Sequence, residues 1–147
     1  MSSSARSAGR AAREVVDLHG FFDDWFAGRI EDTDQVFARC ARALAPEFRL
    51  VAQTGQTSER EGLLRELRAA HGVVQKTVTV EQVEERSVAD ELWLVTYHEW
   101  QRGTGEEWQG RASSALLREE PGAPGRFVWV HVHETWLPED RTFAPGG

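Results

Sequence analysis

The hydrophobic period of this chain turns from mainly helical to alternating at Gly72, and that switch restricts the architectures open to it. Before Gly72, one short extended stretch aside, the apolar residues recur at three- and four-residue steps, which is a helical stripe. From about Ala11 to Ala27 the stripe is Val15, Leu18, Phe22, Trp25 and Phe26, with Gly28 as the stop. Asp32, Thr33 and Asp34 offer an N-cap for a second helix that buries Val36, Phe37, Cys40, Ala41 and Leu44. Ala45-Pro46 is expected to end it, because the residue before proline is pushed out of the helical region. A short strand through Phe48, Leu50 and Ala52 follows, then a turn at Thr54-Gly55 and a brief strand around Gln56-Thr57. Ser58 and Glu61 read as a capping box for a third helix carrying Leu63, Leu64, Leu67 and Ala70.

Beyond Lys76 the pattern alternates. Strands are expected over Thr77–Glu85, Glu91–Arg102, Glu107–Glu119 and Arg126–Leu137, separated by Gly-, Pro- and Asp-containing turns. Helices first and a long antiparallel meander second is the α+β pattern. Strands this long coil and bend, so the sheet should be strongly curved, with the helices in its hollow and the first helix closing the mouth.

The 147 residues suit a single core. One domain is expected over 11–138, after a disordered segment 1–10 and before an irregular Pro- and Gly-rich tail, 139–147. A net charge of -7 argues against general nucleic-acid binding. No apolar run is long enough to span a bilayer, so no membrane association is expected. The N-terminal stretch has no apolar core of the kind a secretory signal carries. The lone Cys40 allows no internal disulfide and fits a reducing compartment, which points to the cytoplasm.

The strand Phe127 to Leu137 is the most informative stretch for function. Strict alternation puts Phe127, Trp129, His131, His133, Thr135 and Leu137 on one face. An aromatic floor running into two imidazoles suits a pocket better than a dry core. The Cα atoms of His131 and His133 should lie ~6.5 Å apart. That spacing serves hydrogen bonding in a polar cavity, ligand contact or proton transfer, with His98 as a third candidate. A metal would need a further ligand, and neither metal nor cofactor is expected. On the neighbouring strand Arg111 and Ser113 alternate, and an inward Arg111 would anchor a carboxylate or other anion through its guanidinium fork.

The order of elements and the ending Trp129-Val130-His131-Val132-His133 resemble the nuclear-transport-factor-2-like (NTF2-like) superfamily. The resemblance is to its SnoaL-like and DUF4440 branch, and to the association domain of calcium/calmodulin-dependent protein kinase II. It covers the chain from about Val15 to Leu137 and implies a cone-shaped α+β fold. Three N-terminal helices would pack in a strongly curved, mainly antiparallel sheet. By that resemblance Trp129, His131 and His133 face the cavity, as do Thr96, His98 and Trp100, and Arg111, Ser113, Ala115 and Leu117. Trp93, Tyr97 and Glu99 then fall on the outer face, and with Val95, Val128, Val130 and Val132 would form a homodimer interface. The superfamily carries many functions on one scaffold. The expected function is therefore small-molecule binding, with walls from Trp25, Trp100 and Trp129 and polar contacts from Thr96, His98, Arg111, Ser113, His131 and His133. The ligand would be flat or apolar, an aromatic with an anionic group being one such molecule, and would carry an anionic or hydrogen-bonding end. The alternatives are an isomerase, cyclase or dehydratase using histidine acid–base chemistry, with His131, His133 and His98 as candidates, and a non-catalytic oligomerisation module.

Overall fold

A computed structural model describes residues 8–138; the expected tail and nearly all of the expected N-terminal lead-in lie outside them. Among the described residues three helices, α1 (Arg10–Ala27), α2 (Asp34–Ala41) and α3 (Arg60–Ala69), pack on one sheet. Its strands are β1 (Leu44–Val51), β2 (Thr57–Glu59), β3 (Lys76–Ala89), β4 (Leu92–Gly103), β5 (Gln109–Glu119) and β6 (Phe127–Trp136). They lie in the order β2-β1-β6-β5-β4-β3 and form an open, curved sheet. Every neighbouring pair is antiparallel except β1 and β6, which run parallel. This is the α+β cone that the periodicity switch implies.

Local chemistry explains the boundaries. Gly28 ends α1 in the left-handed conformation, at φ 72°. A side chain there would meet the Cα of Gly72 at 3.2 Å, and the Gly72 N–H donates to the Trp25 carbonyl at 3.1 Å. The ends of α1 and α3 are thereby held backbone to backbone. Thr33 caps α2, its hydroxyl accepting from the Val36 N–H at 3.1 Å. Two expectations are corrected. Ala45-Pro46 lies inside β1 rather than closing a helix. Pro46 has no N–H to give, and the β1–β6 register shifts between Leu44 and Arg49. The capping box does not form either. Ser58 is held extended in β2 opposite Leu50, so Glu59 takes the N-cap position, and Glu61 pairs with Arg60.

Two carboxylates fix α1 against the sheet. Glu85 of β3 accepts from the Gly9 and Ala12 N–H groups at 2.7 and 2.8 Å, at the helix end that favours a negative charge. Glu14, fully enclosed, pairs with Arg39 of α2 at 2.5 Å and accepts the Trp129 indole N–H at 3.0 Å. The core around them contains Val15, Leu18, Trp25, Phe37, Phe48, Leu117, Phe127 and Trp129.

A β-bulge in β6 decides which residues face this core. Leu117 pairs with Trp129 and Leu116 with His131, leaving Val130 without a partner on β5. Trp129 therefore points inward, and so do Val132, Glu134 and Trp136, while His131, His133 and Thr135 point outward. Through the cross-strand register, β4 turns Trp93, Val95, Tyr97 and Glu99 inward and Thr96, His98 and Trp100 outward. The sequence expectation for these faces is corrected accordingly. Trp93, Val95, Tyr97 and Val132 are core residues beneath the helices, and the outer interface imagined for them has lost its basis.

Candidate functional site

The hollow between the helices and the sheet holds a cavity of about 390 Å³. Phe22 and Phe26 of α1, Phe48 and Leu50 of β1, Leu63 and Leu67 of α3 and Trp129 give it apolar walls. Its polar side is made by residues of five elements and the loop after β1, and these are joined into two networks.

The first network starts on α1. His19 lies one turn after Val15, so its Nδ1–H donates to the Val15 carbonyl at 2.8 Å. Its Nε2 then faces Glu99 Oε1 at 3.1 Å. The imidazole edge packs on Phe22 and Tyr97, with ring centroids 5.6 and 5.2 Å away. Burial alone would lower the His19 pKa, but the charge and hydrogen bond of Glu99 outweigh it and the value is raised. Burial would likewise raise Glu99, but His19, with help from Arg111 and Gln101, pulls it down to about 2. Both directions favour a buried imidazolium–carboxylate pair. The network continues from Glu99 Oε2, which accepts from Gln101, to the Gln101 carbonyl oxygen, which accepts from Lys76 Nζ at 3.0 Å. Lys76 lies over the Phe26 ring at 4.6 Å, and burial lowers its pKa.

The second network is centred on Arg111. Its Nη1 donates to Gln53 at 3.1 Å and reaches Glu134 at 3.5 Å, and its guanidinium lies 5.1 Å from the Trp136 ring centroid. Its Nε is buried without a hydrogen-bond partner. Burial, and then repulsion from Glu99, raises the Glu134 pKa against the pull of Arg111. Burial also holds the Tyr97 phenol well above its ordinary value. Chemically the two networks differ. Both nitrogens of His19 are engaged, so it has no lone pair for proton transfer. Arg111 and Glu134 keep hydrogen-bonding capacity toward the cavity.

A profile of the family described as sucrose-6-phosphate phosphohydrolase C-terminal matches residues 11–138. The chain belongs to that family. It is 32% identical over 131 residues to sucrose-phosphatase 1 of Nicotiana tabacum, covering 86% of this chain and 30% of that protein. The chain thus spans about a third of the length of the curated relatives it matches. Among solved structures it is similar to an NTF2-like protein of unknown function from Pseudomonas aeruginosa, with a TM-score of 0.76 and 20% identity over 88% of this chain and 99% of that one. It is also similar to a candidate calcium/calmodulin-dependent kinase II association domain from Exiguobacterium sibiricum, with a TM-score of 0.60 and 14% identity over 94% and 98%. The fold is NTF2-like, as the resemblance implied.

In this sucrose-6-phosphate phosphohydrolase C-terminal domain the residues expected at the site divide into four groups. Arg111 and Trp129 line the cavity, and Ser113 is buried on the same face between Tyr97 and Glu134. Trp25 is wholly buried in the core, its indole N–H on the Leu67 carbonyl at 2.7 Å. Trp100 covers Gly110 on the outer face and donates to Glu81 at 3.1 Å. Thr96, His98 and His133 line a hollow of about 600 Å³ on the outer face with Glu84 and Ser114, and His131 stands nearby opposite Leu116. Among the described residues no cluster of three or more His, Cys, Asp or Glu could hold a metal ion. No helix there is long and apolar enough to cross a membrane.

Sequence reasoning missed His19, Lys76, Gln101 and Glu134, and placed Glu99 on the wrong face. A signal was present: Glu99 continues the phase of Trp93, Val95 and Tyr97, and a carboxylate in register with three large apolar residues needs a buried partner.

Proposed function

We propose that the chain is a small-molecule-binding domain whose cavity takes a hydroxyl-rich ligand of sugar size. The observation that carries this is the cavity itself. Charged and amide side chains, already oriented by their neighbours, face Phe22, Phe26, Phe48 and Trp129 across the space. Sugars present such a surface, with hydroxyls that pair with carboxylates, amides and guanidinium groups and a C–H face that packs on aromatic rings. The relatives' name supports sugar as the ligand chemistry. In this reading the domain binds, and ester hydrolysis belongs to the parts of those relatives that this chain does not span. Arg111 is the anchor for any anionic group the ligand carries.

The test is a thermal-shift and calorimetric panel of sucrose, sucrose 6-phosphate, glucose and aromatic carboxylates. It is run on the wild type and on Ala52→Trp, which fills the cavity from β1's end. Stabilisation by a sugar in the wild type and not in the variant is expected. Silence from every sugar, or equal response of the two proteins, would reject the reading.

A second reading is favoured by one observation. Glu134 faces the cavity with its pKa raised and only a long contact to Arg111, as a general acid or base would require. Under it, Glu134→Gln would abolish turnover of a cavity ligand while leaving its binding intact.

A further inference from the structure

Of the 17 Lys and Arg residues in the chain, Lys76 is the one lysine. The other residues of that set are arginines, whose guanidinium neither loses its proton nor acts as a nucleophile in water. The chain's single side-chain amine lies in the cavity wall at the start of β3, over Phe26 and hydrogen-bonded to the neutral Gln101. No carboxylate is within salt-bridge distance of it among the described residues. A lysine drawn out of water into an apolar cavity wall is the arrangement that makes an amine nucleophilic. Building on the reading of this cavity as a ligand site, we propose that Lys76 is a reactive amine that condenses with the aldehyde or ketone group of a small hydroxylated ligand.

The step balances without an external oxidant or reductant. The neutral Nζ attacks the carbonyl carbon, a C–N bond forms as the C=O π bond breaks, and the oxygen takes the proton that nitrogen sheds, to give a carbinolamine. Loss of that hydroxyl as water breaks the C–O bond, and the nitrogen gives up its last proton to the carboxylate that protonated the hydroxyl, leaving the imine. Glu134 is suited to supply the proton that the departing hydroxyl needs. The charged groups around the amine come from each element packed about the cavity. They are His19 on α1, Glu66 on the rim from α3, Glu99 on β4, Arg111 on β5 and Glu134 on β6. Burial acts first and favours the neutral amine; Glu99 opposes it, Arg111 partly offsets Glu99, and Glu134 opposes it last.

The only other amine on the polypeptide is its α-amino group, which serves as an internal standard. The 147-residue chain is incubated with glycolaldehyde and cyanoborohydride at pH 7, so that any imine is trapped as a secondary amine, and each site is quantified by peptide mass spectrometry. The same reaction in guanidinium chloride gives the ratio of Lys76 to α-amine labelling for the unfolded chain. An ordinary lysine is neutral to only about one part in a few thousand at pH 7. Folding is expected to raise the ratio about tenfold or more, and Ala52→Trp is expected to cancel the rise. A ratio that is unchanged or lower in the folded protein overturns the proposal, as does a rise that persists in Ala52→Trp. Failure of the sugar panel with a tenfold rise in the ratio would reject the sugar reading alone. Sugar binding without the rise would reject the amine chemistry alone.

Discussion

Replacing His19 with Gln removes one half of a buried ion pair and leaves the other half in place. Glu99 is then enclosed with only Gln101 as a direct partner and Arg111 as its nearest favourable charge. Breaking a buried pair in this way costs about 3–5 kcal/mol, because the remaining charge is uncompensated. Gln can still donate one hydrogen bond, so the lower end, ~3 kcal/mol, is expected. At about 2–4 °C per kcal/mol for a domain of this size, the melting temperature should fall by ~10 °C. The pH dependence is the sharper test. The folded His19 pKa is raised from 6.5, so its contribution is fully present below pH 6.5 and is lost as pH rises through the folded value. The folded Glu99 pKa is lowered from 4.5 to about 2, so its contribution is present above pH 4.5 and is lost as pH falls toward 2. Both contributions of the pair are therefore present between pH 4.5 and 6.5, and His19→Gln should lose the alkaline decline that the pair adds, keeping only what Glu134, its pKa raised, contributes in both proteins. Guanidinium unfolding at pH 5.5 and 9 measures both. A variant within 1 kcal/mol of wild type, or one that keeps the full wild-type slope, would refute the buried pair. His19→Leu combined with Glu99→Leu should recover much of the loss, since apolar replacement of both partners removes the desolvation cost.

Arg111→Ala should weaken an anionic cavity ligand by about 2–3 kcal/mol in calorimetry, whereas His133→Asn, on the outer face, should leave its affinity unchanged. Gly125→Ala would bring a Cβ to 1.8 Å from the Glu14 carboxylate. It should destabilise by about 2 kcal/mol or more in chemical unfolding, because that carboxylate is locked by Arg39 and Trp129. Glu85→Ala should cost ~1 kcal/mol by removing the carboxylate from the first turn of α1, and should raise amide exchange there. Cys40, its thiol pushed up to about 12 by burial, should react with a thiol reagent at pH 8 only as fast as the domain unfolds.

The elements were legible because each has a long, consistent period. The stripe from Val15 to Phe26 and the alternation after Lys76 gave helices and strands to within a few residues. The faces of β4 and β6 were not legible, for different reasons. In β4 both phases carry large apolar residues, with Trp93, Val95 and Tyr97 on one side and Leu94 and Trp100 on the other. Burial pattern alone cannot choose between them. In β6 the alternation starts correctly at Trp129, and one unpaired residue then reverses it, which nothing in the Val130-His131-Val132 string announces. Arg111 and Ser113, which only the resemblance had placed inward, share the phase of Ala115 and Leu117 because β5 pairs regularly through that stretch. The His19–Glu99 pair joins positions 80 residues apart, and only the folded chain shows that one answers the other.

The unpaired Val130 sets the phase of the cavity wall beyond it. Were β6 to run on from Trp129 with Val130 paired, every side chain from His131 onward would change face. His131 and His133 would then replace Val132 and Glu134 on the inner face. Losing the Val130 codon, by contrast, would make Leu117–Trp129 and Leu116–His131 consecutive pairs and keep the carboxylate-bearing wall. Among relatives of this domain, whether the strand extrudes or pairs that extra residue should sort cavities by chemistry more sharply than identity at any one position.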